Sequence, residues 1–143
     1  MANSYAETAV TWDSGSASKT VSSSTVVWTD AVSIGADDWD GSVSLSADNA
    51  GTPASGDIVD WYIAWTNGDI LGDSGDDYDT TEHAEPLYRM DTVAANTPGE
   101  DPARRTLPID VSGKKAFKIG ASCPQAGTRN IVLRVRYGAH RAA

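Results

Sequence analysis

Period-two alternation runs through most of this chain. Val59, Trp61, Ile63 and Trp65 share one parity, while Asp60, Tyr62, Ala64 and Thr66 occupy the other. Ile131, Leu133, Val135 and Tyr137 form a second stripe against Asn130, Val132, Arg134 and Arg136. Val43, Leu45 and Ala47 alternate with Ser42, Ser44 and Ser46, and Phe117, Ile119, Ala121 and Cys123 make a fourth stripe. Thr8, Val10 and Trp12 make a fifth. Successive side chains of a strand point to opposite faces, so each stripe predicts a half-buried strand. Weaker strands are expected at Thr20–Thr29, Leu87–Val93 and Ala103–Ile109.

Turn signals separate these stretches: Asp40-Gly41, Gly51-Thr52-Pro53, Asn67-Gly68, Pro98-Gly99 and Ser112-Gly113. Helical periodicity is weak throughout; the best candidate is a short turn over Thr80–Ala84, capped by Thr80 or Thr81. The pattern predicts an all-β fold, an antiparallel β-sandwich of about eight strands with the jelly roll as one form. At 143 residues the chain is the size of one domain. Ser14–Ser24 is rich in Ser, Gly, Ala and Thr, so residues 1–25 are expected as an N-terminal arm or an edge strand.

The formal charge of -9 argues against nucleic-acid binding, and its placement is more informative than its size. Residues 1–101 carry 2 basic and 19 acidic side chains, giving -17; residues 102–143 carry 9 basic and one acidic, giving +8. Such asymmetry points either to an acidic and a basic face with contacts between copies or with a partner, or to two sets of charges that solvate opposite sheets. No apolar run is long enough to span a membrane. The beginning of the chain has no basic, then apolar leader, so synthesis and assembly in a cytoplasm are expected. The single cysteine, Cys123, falls in a core stripe and reads as a small buried hydrophobe.

The acidic run from Asp69 to Glu82 concentrates Asp69, Asp73, Asp76, Asp77, Asp79 and Glu82 among glycines. Three readings stay open: solvation, arginine pairing with Arg104 and Arg105, or calcium held by Asp69, Asp73, Asp76, Asp77 and Asp79. The spacing is not that of an EF-hand. Gly72-Asp73-Ser74-Gly75 spells the surroundings of a protease serine. Asp76 follows where such enzymes have glycine, and the chain is too short for their two barrels. A Gly-rich turn explains the letters, and no catalytic residue and no required cofactor are expected. His83 reads as a solvated or capping residue. Trp39, inside Asp37-Asp38-Trp39-Asp40-Gly41, is either an exposed anchor or a turn residue folded back over the core. Trp61 and Trp65 read as core, and Arg134, Arg136, His140 and Arg141 as a basic stripe facing solvent or an acidic partner.

Gly75-Asp76-Asp77-Tyr78-Asp79-Thr80, Glu82-His83-Ala84 and Asn96-Thr97-Pro98-Gly99-Glu100-Asp101-Pro102-Ala103-Arg104-Arg105-Thr106 together resemble a small structural protein of many tailed bacteriophages. There it sits among head-morphogenesis proteins. The resemblance covers roughly residues 56–110. It implies a virion component, a capsid decoration (cement) protein of β-sandwich type on the capsid exterior, whose partners are the major capsid protein and two further copies in a homotrimer. Neither nucleic acid nor membrane is an implied partner. The contact residues then expected are Asp73, Asp76, Asp77, Asp79, Arg104, Arg105, Arg134, Arg136 and Trp39. The alternative is a carbohydrate-binding or adhesin-like module with an aromatic, calcium-ordered surface.

Overall fold

The computed structural model describes residues 4–49, 57–66, 84–92, 103–124 and 130–142. They build ten strands: β1 (Ser4–Val10), β2 (Lys19–Val21), β3 (Val27–Trp28), β4 (Val32–Ser33), β5 (Asp38–Asn49), β6 (Ile58–Thr66), β7 (Glu85–Asp91), β8 (Ala103–Ile109), β9 (Ala116–Ser122) and β10 (Ile131–Arg141). Two antiparallel sheets result. The first runs β1-β10-β5-β8, with β2 also on β10; the second runs β3-β9-β6-β7, with β4 also on β9. β1 and β2 lie end to end along β10, and β3 and β4 end to end along β9. The ten strands therefore occupy eight rows, four per sheet. Of the connections from row to row, only β6 to β7 stays within one sheet. This is the jelly-roll arrangement of two interlocked Greek keys. The expected eight strands become ten because two outer rows are each broken in the middle.

The first break has a clear cause. Asp13 and Ser14 adopt left-handed backbone angles (φ 49° and 62°) and Gly15 lies at φ 133°. The Asp30 carboxylate holds this turn, accepting from the Thr11 hydroxyl at 2.6 Å and the Ser14 and Gly15 N–H groups at 2.8 and 3.0 Å. The turn drops Trp12 wholly into the interior. The expected strand Thr20–Thr29 is split, because the Ser22–Thr25 bend carries the chain from one sheet to the other. The edge strands on the far side contain Pro86 and Pro108.

Every expected stripe supplies the core. Trp12, Leu45, Trp61, Phe117, Ile119, Leu133 and Tyr137 are all below 2% exposed, and Cys123 is buried as well. Burying a large apolar side chain contributes about 1.5–3 kcal/mol, so this set dominates the stability. The Phe117 ring meets Tyr137 edge-on across the two sheets at 5.2 Å and Trp65 at 5.6 Å.

One local expectation is corrected, and one short strand is added. Asp40-Gly41 is no turn but lies within β5, since a Cβ at Gly41 would meet Val111 Cγ1 at 2.7 Å and Tyr137 Cε1 at 3.2 Å. Close packing, not chain reversal, calls for that glycine. Val32–Ser33, too short to show a period, forms β4. Ser112-Gly113 is a turn as expected, with Gly113 at φ 71°. The Asn67-Gly68 and Pro98-Gly99 signals and the helical turn before Ala84 lie outside the described residues.

A candidate docking face on the first sheet

Strand parity and register together define what the outer face of the first sheet presents. On β10, Ile131, Leu133, Val135 and Tyr137 turn inward, so Arg134, Arg136 and His140 turn outward. Cross-strand register then places Arg134 opposite Ser46, which is itself opposite Arg104 of β8. Arg136 lies opposite Ser44 and Ser44 opposite Thr106, with the two hydroxyls 2.9 Å apart. An open trough of about 780 Å³ runs among Glu7, Ser44, Ser46, Arg104, Arg134 and Arg136. Arg136 donates to Glu7 at 2.9 Å, whereas Arg104 and Arg134 have no ion pair among the described residues.

The arginine pair does not act as a unit. Adjacent strand residues face opposite sides, and Arg105 shares the inward parity of Leu45. At the rim of the sandwich it lies over the Tyr88 ring of the second sheet, 5.2 Å from the centroid. Arg105 therefore lies across an open edge of the sandwich, Arg104 has the outward parity, and both border the trough. The acidic run that both were expected to meet lies outside the described residues.

Trp39 is exposed, at 52%, which overturns the reading that folds it over the core. A bulge produces this. His140 pairs with Asp40 but Arg141 with Asp38, leaving Trp39 as the extra residue of β5. Asp38 turns inward while Trp39 and Asp40 both turn out. Trp39 stacks on His140 with ring centres 5.5 Å apart, and Tyr5 of β1 flanks the same histidine at 5.2 Å. Tyr5 lies against Gly138, where a Cβ would collide with its hydroxyl. Sequence reasoning missed Tyr5 and placed His140 only in a basic stripe. Parity would have put both outward, but only the β1–β10 register makes them neighbours.

Asp69, Asp73, Asp76, Asp77, Asp79 and His83 lie outside the described residues, and with them the calcium reading. Thr66 and Ala84, which bracket that run, sit at the end of the sandwich shared with Gly41 and Ile109. Arg104 and Arg134 sit at the other end, with Ala47 and Leu133. Among the described residues, no three His, Cys, Asp or Glu side chains gather as metal ligands.

The fold places the chain in the class of antiparallel jelly-roll sandwiches. No protein-family model and no curated protein matches its sequence. Similar solved structures include the VP2 subviral particle of infectious bursal disease virus, at 14% identity over 99% of this chain and 38% of that one, TM-score 0.44. A mutant of a family 29 carbohydrate binding module aligns over 94% of this chain and 92% of its own at 10% identity, TM-score 0.41. A family 115 4-O-methyl-alpha-glucuronidase aligns over 91% of this chain at 11% identity, TM-score 0.44, and this chain spans 16% of its length. At such scores these likenesses carry no argument about function.

Proposed function

We propose that this is a non-enzymatic structural protein of a tailed-phage virion that binds the outer surface of the shell and joins copies of itself into a closed ring. The observation that carries this reading is the row Arg104–Ser46–Arg134 on the outer face of the first sheet. Two guanidinium groups without ion-pair partners among the described residues flank a serine hydroxyl there, in a chain whose net charge is -9. Arginine takes carboxylates bidentately, so the row is a receptor for an acidic segment. The Asp69–Glu82 run of a neighbouring copy is such a segment. Its anchor residues lie at the opposite end of the sandwich, an arrangement that favours pairing between copies over pairing within one. A heterologous contact of this kind closes into a ring when the rotation between copies closes, and a trimer is the ring the sequence resemblance implies.

The test is reassembly. Shells stripped of the protein are mixed with the purified wild type and with an Arg104→Glu/Arg134→Glu variant, and bound copies per shell are counted. Stoichiometric rebinding by wild type and loss in the variant support the reading. Absence of saturable binding to shells by the wild type overturns it.

A further inference from the structure

We infer that the aromatic shelf formed by Tyr5, His140 and Trp39 is a binding site for a neutral saccharide, separate from the arginine row. Along β10 the shelf and that row are six residues apart, roughly 20 Å at about 3.3 Å per residue. They occupy opposite ends of one face.

Three observations support this. First, Tyr5 and Trp39, at 54% and 52% exposure, are the exposed large hydrophobic residues among those described, and they are neighbours on either side of His140. Rings left in water at two positions of one row are a feature of a binding surface, because each would gain by being covered. Second, the local backbone is built to present them. The bulge turns Trp39 outward, and the bare Gly138 lets Tyr5 settle beside it. Third, no cation at the shelf is left unpaired among the described residues. Arg136 pairs with Glu7 at 2.9 Å, and His140 Nδ1 lies 3.4 Å from the Asp40 carboxylate.

These features select the occupant. An acidic partner finds no unpaired cation among the described residues of the shelf, whereas it finds two arginines at the other end. A pyranose carries an apolar C–H face that stacks on an indole or phenol ring, and a girdle of hydroxyls that donate and accept. Glu7 and Asp40, half exposed at 48% and 56%, can accept from such hydroxyls, and the Arg136 guanidinium, 58% exposed, can donate to them. The Tyr5 hydroxyl does both.

The experiment uses the full-length protein on an array of immobilised neutral and acidic oligosaccharides, followed by titration of the best neutral glycan in solution with indole NMR signals as the readout. Trp39→Ala and Tyr5→Ala are compared with wild type, and thermal melts confirm that both variants fold. Binding to neutral glycans that shifts the Trp39 indole signal and weakens at least about tenfold in each variant is the expected result. No glycan binding by the wild type overturns the proposal, as does binding that Trp39→Ala leaves unchanged. Loss of shell binding or of self-association in Trp39→Ala, with no glycan bound, assigns the shelf to a protein partner instead and equally overturns it. Because the arginine row is intact in these variants, the outcome is independent of the reassembly test.

Discussion

The Tyr137 hydroxyl donates to the Asp38 carboxylate at 2.9 Å in the interior of the sandwich. The Asp38 side chain is fully buried, and the same carboxylate also accepts from the Gly35 N–H at 2.9 Å and from the Arg141 Nε–H. This junction ties the end of β10 to the start of β5, one residue before the bulge that turns Trp39 outward. Removing one partner of a buried pair leaves the other uncompensated. Asp38→Ala is therefore expected to lower stability by about 3 kcal/mol in urea unfolding. Tyr137→Phe, which leaves the ring in place, should lower it by about 1 kcal/mol.

The same bond makes the protein sensitive to alkali. Burial, and then the hydrogen bond and charge of Asp38, push the Tyr137 hydroxyl well above its ordinary 10.0. A raised folded-state value means that the folded chain holds this proton more tightly than the unfolded one. The contribution is intact below pH 10 and is lost as pH rises beyond it toward the folded value. Melting temperature should fall between pH 10 and 12, and Tyr137→Phe should flatten that decline. An equal decline in the variant would show that other groups set the alkaline limit.

Asp30 gives the acid counterpart. Its carboxyl is held below the ordinary 3.8, chiefly by the Thr11 hydroxyl and then by the Ser14 N–H. A depressed folded-state value supplies stability above the unfolded value that disappears as pH falls through the folded one. Asp30→Asn should melt below wild type at pH 6, and the gap should close as pH drops below 4. A gap that stays constant down to pH 2 would locate the effect in geometry rather than charge.

Gly41→Ala tests close packing inside β5. The added methyl meets Val111 and Tyr137, both buried, so neither can swing into solvent. Overpacking of this kind costs about 1–3 kcal/mol, measurable as a lower denaturation midpoint at unchanged slope. A turn glycine with ordinary backbone angles would tolerate alanine.

Arg104 and Arg105 should separate cleanly on substitution by alanine. Arg105→Ala loses the contact over Tyr88 and should lower stability by about 0.5–1 kcal/mol. Arg104→Ala, on the outer face, should leave the melting temperature unchanged and reduce shell occupancy. Equal effects on both measurements would contradict their opposite orientation.

The five core stripes and the bounds of β8 were legible because period two reports directly which residues turn inward. What periodicity does not encode is register. Arg104 and Arg134 flank Ser46, and Tyr5 meets Trp39 across His140, only after β8, β5, β10 and β1 are laid side by side. Trp39 was left open for a related reason. A bulge inserts one residue without altering composition, so Asp37-Asp38-Trp39-Asp40-Gly41 reads as a turn when it is the irregular start of a strand. Gly120 and Gly138 look like weak points in their strands, yet Trp28 and Tyr5 lie against them. Such a match between a bare backbone site and a ring on the neighbouring strand leaves no local trace.

The interrupted outer rows bear on how copies can meet. β1 and β2 are broken by the Asp30-held turn, β3 and β4 by Thr29–Ala31, and the opposite margins carry Pro86 and Pro108, which have no N–H to offer. Among the described residues, no margin of either sheet thus presents a long uninterrupted template on which another chain could add a strand. Sheet extension along these margins is disfavoured, and concentrated solutions should stay clear. A contact made by side chains across faces, by contrast, can stop at a fixed number.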